Sequence, residues 1–421
     1  MRTRAVAALA VIVGALAMTL FASTSASAAT TDSGVSVSGI IKNTDDKPVQ
    51  GVTIKVTGKD FTGSTKTDAT GKWLVKLPAG GQFQVVLDEG TLPPGVQVSN
   101  GTTRTVNVFL GDNPVVFSTA TGTAVTQSRA SQILQLTIDG LLLGLVIALA
   151  AVGLSLIYGT TGLTNFSHGE LVTLGALVAL WLNNGRGWNF VLAVAGSIII
   201  CGALGGVQDR VLWRPLRKRG TGLVAMLVIS IGLGIFLRYL FLFIVGGNTQ
   251  TYASYAGQAG ITIGSVSITP KALIGTSVAI VLLFATAYWL LRTKLGKASR
   301  AVSDNPALAS ASGIDVERVI NVVWILGAAL AAFGGVLYSM SVGVNWEEGN
   351  AILLLIFAAV TLGGLGTAFG ALVGSIVVGL AINLSTLFIP TELKGVGVLA
   401  IMILVLLVRP QGLLGRRERV G

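Results

Sequence analysis

The sequence is poor in charged residues, cysteine and histidine. Only 11% of its 421 residues are charged, whereas soluble proteins carry about 25%. The single cysteine, Cys201, excludes an intrachain disulfide and a cysteine-based metal cluster, and its apolar surroundings favour a small buried side chain. The single histidine, His168, has one carboxylate nearby, which does not make a zinc site. We therefore expect neither a metal nor another cofactor.

The sequence also lacks a motif for nucleotide hydrolysis. It contains no G-x-x-x-x-G-K-[ST] phosphate-binding loop, and no nucleophile–base–acid set is evident. A membrane enzyme is therefore a poor interpretation. The formal charge of +11 does not indicate nucleic-acid binding, because the excess of Lys and Arg lies in short segments between apolar runs, as in positive cytoplasmic loops.

Hydrophobic residues and glycine are abundant. The chain is 52% hydrophobic, with a mean hydropathy of +0.78 and 55 glycines, and small residues let membrane helices approach closely. This composition predicts an integral membrane protein. The N-terminus has Arg2 and Arg4, an apolar run over 5–22 and an Ala26-Ser27-Ala28 cleavage pattern. Residues 1–28 are therefore expected to be a secretory signal peptide, and an uncleaved anchor is the alternative.

Residues 34–115 are polar and show the alternation of half-buried strands. Val52, Ile54 and Val56, for example, alternate with Thr and Lys residues. About six or seven short strands predict a small extracytoplasmic β-sandwich, which serves either in recognition or as a passive spacer. The region resembles the carboxypeptidase regulatory-like family in the runs Gly39–Ile41, Pro48–Val52 and Thr67–Trp73. Residues 116–130, rich in Thr, Ser and Ala, are expected to be a linker.

Residues 131–410 contain apolar segments that predict membrane helices. The candidate spans are 133–157, 168–183, 188–206, 222–246, 272–292, 318–342, 351–364, 369–389 and 394–408. The expected fold class is an all-α polytopic membrane protein with about eight or nine transmembrane helices, preceded by the β-sandwich. Eight full spans and one re-entrant segment, at 351–364, are the alternative to nine crossings.

The distribution of Lys and Arg predicts the orientation. Positive residues are concentrated at 210–219, at 291–319 and in the basic tail 411–421, with Arg409 just before it. All three segments are expected to be cytoplasmic. Nine crossings from an extracytoplasmic N-terminal domain place them there. We therefore expect a multi-pass protein of a bacterial-type plasma membrane with a cytoplasmic C-terminus.

The segment 291–319 is a charged, helix-capable loop between two apolar runs. Asp304 or Asn305 can cap a short helix, Pro306 suits its first position, and Gly313 is a suitable stop. Such a helix lies outside the bilayer and presents small residues. We expect it to fit into a groove on a cytoplasmic partner.

The same short helix resembles the E-A-A-x-x-x-G coupling motif of ABC importer permeases. Ala309 and Gly313 match it, while Ala307 stands at the Glu position and Leu308 replaces the first Ala. Because Ala307 replaces the Glu of the motif, the salt bridge that this Glu would make is not expected, but the helix still is. The residues expected to couple to an ATPase are Asp304, Asn305, Pro306, Ala307, Ala309 and Gly313.

Four blocks in order are similar to branched-chain amino acid permeases. They are Leu145–Glu170 with Leu174–Ala176, Gly296–Gly335, Phe357–Gly374 and Arg409–Gly415. Urea and short-amide permeases share these blocks. The resemblance implies an ABC importer in which an extracytoplasmic binding protein captures the solute, two related permease chains form the pathway, and two cytoplasmic ATPase chains dock on the coupling helices.

Several polar residues fall at membrane depth or near it. Asn165, His168 and Glu170 are candidates for the translocation pathway, and capping of a helix at the interface is the alternative. Arg238 either snorkels or pairs with a carboxylate. The pair Glu347-Glu348 is expected on the outside, either against the binding protein or solvated.

Five glycines have the G-x-x-x-G spacing that permits close helix contact: Gly140, Gly144, Gly366, Gly370 and Gly374. We expect them to serve helix packing, and bending during transport is the alternative.

Three classes of function are compatible with these features. The leading hypothesis is the permease subunit of an importer for branched-chain or other hydrophobic amino acids, with urea or short amides as alternative solutes. An ion-driven secondary carrier is the second class, but such carriers show inverted repeats and buried carboxylates, and no repeat is evident in the sequence. The third class is an adhesion or sensor protein that acts through the sandwich.

Overall fold

The computed structural model describes residues 35–415 with short gaps. The residues not described are 1–34, 42, 44–46, 60, 79–80, 94–95, 99–101, 109–111, 116, 118, 122–128, 253–260, 264–265, 390–393, 410 and 416–421. The expected signal peptide, 1–28, and most of the basic tail, 416–421, lie outside the described residues.

The N-terminal strands form two main sheets with one shared core. One sheet has the order β4-β1-β8 and the other β3-β2-β5-β7. The strands are β1 Val35–Ile40, β2 Thr53–Thr57, β3 Thr62–Lys66, β4 Lys72–Leu77, β5 Gly81–Leu87, β6 Val96–Val98, β7 Thr103–Val108, β8 Asp112–Pro114 and β9 Thr119–Thr121. Val37 and Val75 from the first sheet and Ile54 and Val85 from the second are buried in the same cluster. One face of each sheet is therefore packed, which explains the alternating sequence pattern.

The strand region extends beyond residue 115. Phe117 is buried in the core of the sheets, and β9 pairs antiparallel with β6. The first helix begins at Arg129. The segment 116–130 is therefore only in part a linker, because its start supplies both a core side chain and backbone hydrogen bonds to the strands.

Twelve helices follow in the described part of the chain. They are α1 Arg129–Thr161, α2 His168–Leu180, α3 Phe190–Gln208, α4 Arg214–Lys218, α5 Leu223–Val245, α6 Pro270–Arg292, α7 Lys294–Asp304, α8 Pro306–Ala311, α9 Val316–Val342, α10 Glu348–Gly363, α11 Ala368–Ser385 and α12 Lys394–Val408. A short hairpin, β10 Ile261–Ile263 with β11 Val266–Ile268, lies between α5 and α6.

Six helical stretches of the described residues are long and apolar enough to cross a membrane: Arg129–Thr161, Phe190–Lys218, Leu223–Val245, Pro270–Arg292, Val316–Val342 and Ala368–Ser385. The helices α2, α10 and α12 are apolar and shorter. A polytopic helical protein is thus confirmed. The basic segment 210–219 was expected to be a loop, but a π-helical turn at Asp209–Trp213 joins α3 to α4, so most of this segment continues the helix.

Six of the twelve described helices form two inverted halves, α1–α3 and α9–α11. Helices α1 and α9 run antiparallel and touch at Gly153 and Gly327, where a Cβ on Gly153 would lie 2.6 Å from the carbonyl oxygen of Gly327. Helices α2 and α10 also run antiparallel and touch at Gly169 and Gly349. Helix α11 packs along α1, and α3 packs along α9. The unit α1–α3 therefore has an inverted counterpart in α9–α11. The sequence did not reveal this relation, because the two units resemble each other in helix arrangement more than in amino-acid sequence.

Helices α2 and α10 begin inside the bundle. The chain is non-helical over 162–167 and returns from the end of α1, so that His168 reaches the carbonyl oxygen of Ala150 at 2.9 Å. A second non-helical stretch, 343–347, returns from the end of α9 to the start of α10. Both helices thus place their first turns among the helices that are long enough to cross a membrane.

Candidate translocation and coupling sites

The start of α2 gathers the three polar side chains predicted for the pathway. Asn165 and His168 are 0% exposed and Glu170 is 1% exposed. The Asn165 side-chain oxygen accepts hydrogen bonds from the backbone N–H and the hydroxyl of Ser167, at 3.1 and 2.7 Å, and so orders the turn before the helix. The structure brings the three residues together, and their part in translocation stays a prediction.

This entry segment is attached to α5 through small residues. The backbone N–H of Phe166 donates to the Ser230 hydroxyl at 3.0 Å, and Gly234 faces Ser167 one turn further along. Non-helical backbone at membrane depth needs such internal partners, because lipid offers none.

Arg238 on α5 connects α2 with α10. Its Nε atom lies 3.4 Å from the Oε1 atom of Glu170, and its Nη2 atom donates to the side-chain oxygen of Asn350. The sequence left open whether the Arg238 side chain snorkels or pairs with a carboxylate. In the structure it pairs with Glu170. Glu170 and Asn350 are each the third residue of a helix that starts inside the bundle, so one guanidinium joins equivalent positions of the two halves.

Glu348 is the first residue of α10 and is only 1% exposed. The expectation that it is solvated, or lies outside against a binding protein, was wrong, because the stretch 343–347 carries it back into the bundle. The backbone N–H of Gly349 donates to the Thr173 hydroxyl at 3.0 Å, which fixes α10 against α2. Sequence reasoning missed Glu348 and Asn350 as site residues. The available signal was the likeness of His168-Gly169-Glu170 to Glu348-Gly349-Asn350.

Four of the five glycines singled out for helix packing lie at contacts between helices. Gly140 and Gly144 on α1 face α11, where a Cβ on either would lie 2.9 Å from a backbone atom. Gly370 and Gly374 on α11 face α10. Gly366 lies in the turn before α11 with a φ of +76°. It therefore does not share a helix face with Gly370.

The loop 291–319 contains the expected short helix, α8. The Asn305 side-chain oxygen accepts from the backbone N–H of Leu308 at 3.0 Å, so Asn305 is the cap. Asp304, the other possible cap, is the last residue of α7 instead. Gly313 has a φ of +84°, a left-handed conformation typical of a helix stop.

Helix α8 is attached through one residue and exposes the rest. Ala309 is 4% exposed and packs into the main helical core. Pro306 and Ala307 are exposed, and the Leu308 side chain is 65% exposed. A short, capped helix thus presents small and apolar side chains outside the bundle.

A network of charged side chains lies beside this loop. Asp209 is fully buried and lies 2.9 Å from Arg217. The Asn321 amide donates to the same carboxylate at 3.1 Å. Glu317, in the first turn of α9, lies 3.0 Å from Arg217 and 3.2 Å from Arg214. The network joins the extension of α3 to the helix that follows α8.

The described residues contain no group of three or more His, Cys, Asp or Glu side chains arranged to hold a metal ion. Cys201 is buried and carries no disulfide.

Comparisons with known proteins cover most of the helical region. Residues 136–406 match the family described as branched-chain amino acid transport system / permease component. The high-affinity branched-chain amino acid transport system permease protein LivH of Escherichia coli is 35% identical over 298 residues, which cover 68% of this chain and 96% of LivH. The corresponding protein BraD of Pseudomonas aeruginosa is 32% identical over 300 residues, with coverage of 68% and 96%.

A more distant relative is the ribose import permease protein RbsC of Escherichia coli. It is 27% identical over 245 residues, which cover 56% of this chain and 73% of RbsC. The family match spans well over half of the chain and includes both inverted halves together with α8. The chain therefore belongs to the family of permease components of branched-chain amino acid transport systems.

Proposed function

We propose that the chain is the transmembrane permease subunit of an ABC importer for branched-chain or other hydrophobic amino acids. The observation that carries the proposal is α8, a capped helix held outside the bundle by Ala309 in a chain of this permease family. The chain has no phosphate-binding loop of its own. ATP hydrolysis is therefore assigned to partner chains.

The proposed complex contains four kinds of chain. Two ATPase subunits dock on the coupling helices from the cytoplasm. A second, related permease completes the pathway, and an extracytoplasmic solute-binding protein delivers the amino acid. The N-terminal sandwich then lies outside and the C-terminus inside, in agreement with the positive charge of 210–219 and 291–319.

In this proposal, the contacts around α8 couple its movement to the rest of the helical bundle. The charged network joins the start of α9 to α4, and α9 touches α1 at the Gly153–Gly327 contact. Movement of α8 with the ATPase therefore acts on both inverted halves. In this proposal the pathway alternates between inward- and outward-facing states by rigid-body movement of these halves.

The test is to replace Gly313 by valine in the full complex. A β-branched residue is strained at a φ of +84°, so we expect uptake to be lost while membrane insertion and expression are retained. Gly220→Val is the matched control, because Gly220 has a φ of +67° and equally open surroundings in another segment. Wild-type uptake by the Gly313 variant would show that the coupling assignment is wrong.

Copurification distinguishes the importer from a secondary carrier. The secondary carrier is still an alternative because inverted repeats are common in that class of transporter. We expect an ATPase to copurify with the tagged chain. Uptake by the purified chain alone in liposomes, without ATP, would instead identify a secondary carrier. Urea and short amides are the solutes to compare with leucine.

A further inference from the structure

A polar cleft lies at the end of the bundle where α7 packs against α1, α6 and α11. Its volume is about 50 Å³. Helix α7 supplies Ser299, Arg300 and Ser303, and the rest of the lining comes from the ends of the three longer helices, among them Leu290 and Ala368. None of the lining residues is Asp or Glu. The cleft therefore offers hydroxyl and guanidinium donors, which suit a phosphate group.

An apolar groove continues from the cleft between α6 and α11. It shares Leu290 and Ala368 with the cleft. Its other lining residues are Val152, Leu283, Thr286, Ala287, Phe369 and Leu372. The Phe369 side chain is 43% exposed, so the groove opens on the outer surface of two helices that are long and apolar enough to cross a membrane.

The length of the groove matches part of an acyl chain. Leu283 and Leu290 mark its two ends on α6, and the rise of 1.5 Å per residue gives a length of about 10 Å between them. One leaflet contributes about 15 Å to the hydrocarbon core of a bilayer. A chain that enters at the cleft is therefore covered over about two thirds of that depth.

Basic side chains surround the mouth of the cleft. The segment from the end of α6 to the end of α7 carries Arg292, Lys294, Lys297 and Arg300 against one carboxylate, Asp304. All four cations are exposed, and none forms an ion pair with a carboxylate in the described part of the chain. The opposite face of α7 is buried against the bundle. A basic amphipathic helix in this position is typical of a surface that attracts anionic lipids.

We propose that the cleft and the groove together bind one phospholipid with an anionic headgroup. Its phosphate lies against Arg300 and Ser303, and one acyl chain lies along α6 and α11. The cleft alone would suit any phosphate, but the groove that continues from it is apolar and assigns the ligand to a lipid. The inference requires only that the chain lies in a bilayer, so it does not depend on the proposed transport function.

The position of the site gives the lipid a structural effect. Helix α1 belongs to one inverted half and α11 to the other, while α7 ends directly before the Asn305 cap of α8. One bound lipid therefore contacts both halves and the segment that carries α8. Because the site exists only in the folded protein, an anionic lipid should also raise the thermal unfolding temperature.

The experiment measures lipid binding to the full-length chain in detergent by native mass spectrometry. Dioleoyl phosphatidylglycerol is compared with phosphatidylcholine that has the same acyl chains. We expect phosphatidylglycerol to bind about fivefold more tightly, and Arg300→Gln to remove about that factor. Ala287→Phe fills the groove and is expected to weaken binding of both lipids by about fivefold or more. Thermal unfolding with each lipid gives a second measurement.

Each variant has a matched control. Arg219→Gln removes an exposed cation that does not line the cleft, and Ala285→Phe enlarges an exposed residue of α6 that does not line the groove. Both controls are expected to bind phosphatidylglycerol within about twofold of wild type. Arg300 is exposed, so Arg300→Gln should leave folding unchanged and report on binding alone.

Four results would overturn the inference. The first is equal affinity of the wild type for the two lipids. The second is unchanged binding of phosphatidylglycerol by both Arg300→Gln and Ala287→Phe. The third is displacement of phosphatidylglycerol by inorganic phosphate, which would indicate a site for free phosphate. The fourth is loss of ATPase copurification in Arg300→Gln with lipid binding intact, which would make Arg300 part of the ATPase contact. Leucine uptake tests the proposed function separately.

Discussion

The carboxylate of Glu317 lies 3.0 Å from the Nη2 atom of Arg217 and ties the first turn of α9 to α4. Arg217 also lies 2.9 Å from Asp209, which is fully buried. Since α9 follows α8 after a short turn, these ion pairs connect the segment that carries α8 to the half of the bundle that contains α3.

Replacing Arg217 by alanine is expected to destabilise the protein by about 3–5 kcal/mol, because the buried Asp209 side chain would lose its ion-pair partner. Thermal unfolding of the purified protein in detergent measures the effect. Arg219→Ala is the control, since the Arg219 side chain is exposed. Adding Asp209→Asn to Arg217→Ala should restore part of the lost stability. A double variant as unstable as the single one would contradict the pairing argument.

Gly153→Val is expected to destabilise the bundle by about 1–3 kcal/mol or more, because any side chain there meets the Gly327 carbonyl. The control is Gly232→Val on α5, where a Cβ meets no atom within 4 Å. Denaturation curves of both variants give the comparison. Equal stability of the two would mean that α1 and α9 can separate without cost.

Leu308→Asp is expected to lower the amount of ATPase that copurifies by about tenfold or more, since it places a charge on an apolar contact surface. The side chain is 65% exposed, so folding itself should be unaffected. Leu295→Asp on α7, where the side chain is 38% exposed, is the control. Undiminished copurification with Leu308→Asp would place the ATPase contact elsewhere.

Deletion of residues 34–121, with residues 1–33 kept, is expected to leave leucine uptake and ATPase copurification within about twofold of wild type. The reason is that the strands have their own hydrophobic core, separate from the cores of the helices. Loss of uptake in a well-inserted variant would show that the sandwich takes part in transport. It would thereby favour a role in recognition over that of a spacer.

Local chemistry made α8 predictable. The Asn305 cap, Pro306 at the first turn and Gly313 at the stop act within a few residues of one another, so the sequence alone carries the information. The same holds for alternation in the strands, because burial of every second side chain repeats along one segment.

Long-range geometry was not predictable in the same way. Arg238 meets partners 68 and 112 residues away, and no local pattern records such a pairing. Glu348 was misplaced for a related reason: hydropathy shows where an apolar run begins, but it does not show that the preceding stretch, 343–347, turns back into the bundle. The segment 210–219 was likewise interpreted as a loop because of its charge, whereas the π-helical turn at Asp209–Trp213 continues the helix into it.

The contact between Gly153 and Gly327 divides α9 into two arms of unequal length. With a rise of 1.5 Å per residue, the arm from Gly327 to the start of α9 at Val316 is about 16 Å, and the arm to its end at Val342 is about 22 Å. Two backbones in direct contact cannot move closer, so a push on the arm beside α8 would tilt α9 about this contact. A displacement of about 1 Å beside α8 would then become about 1.4 Å in the opposite direction at the other arm, beside the stretch that leads into Glu348.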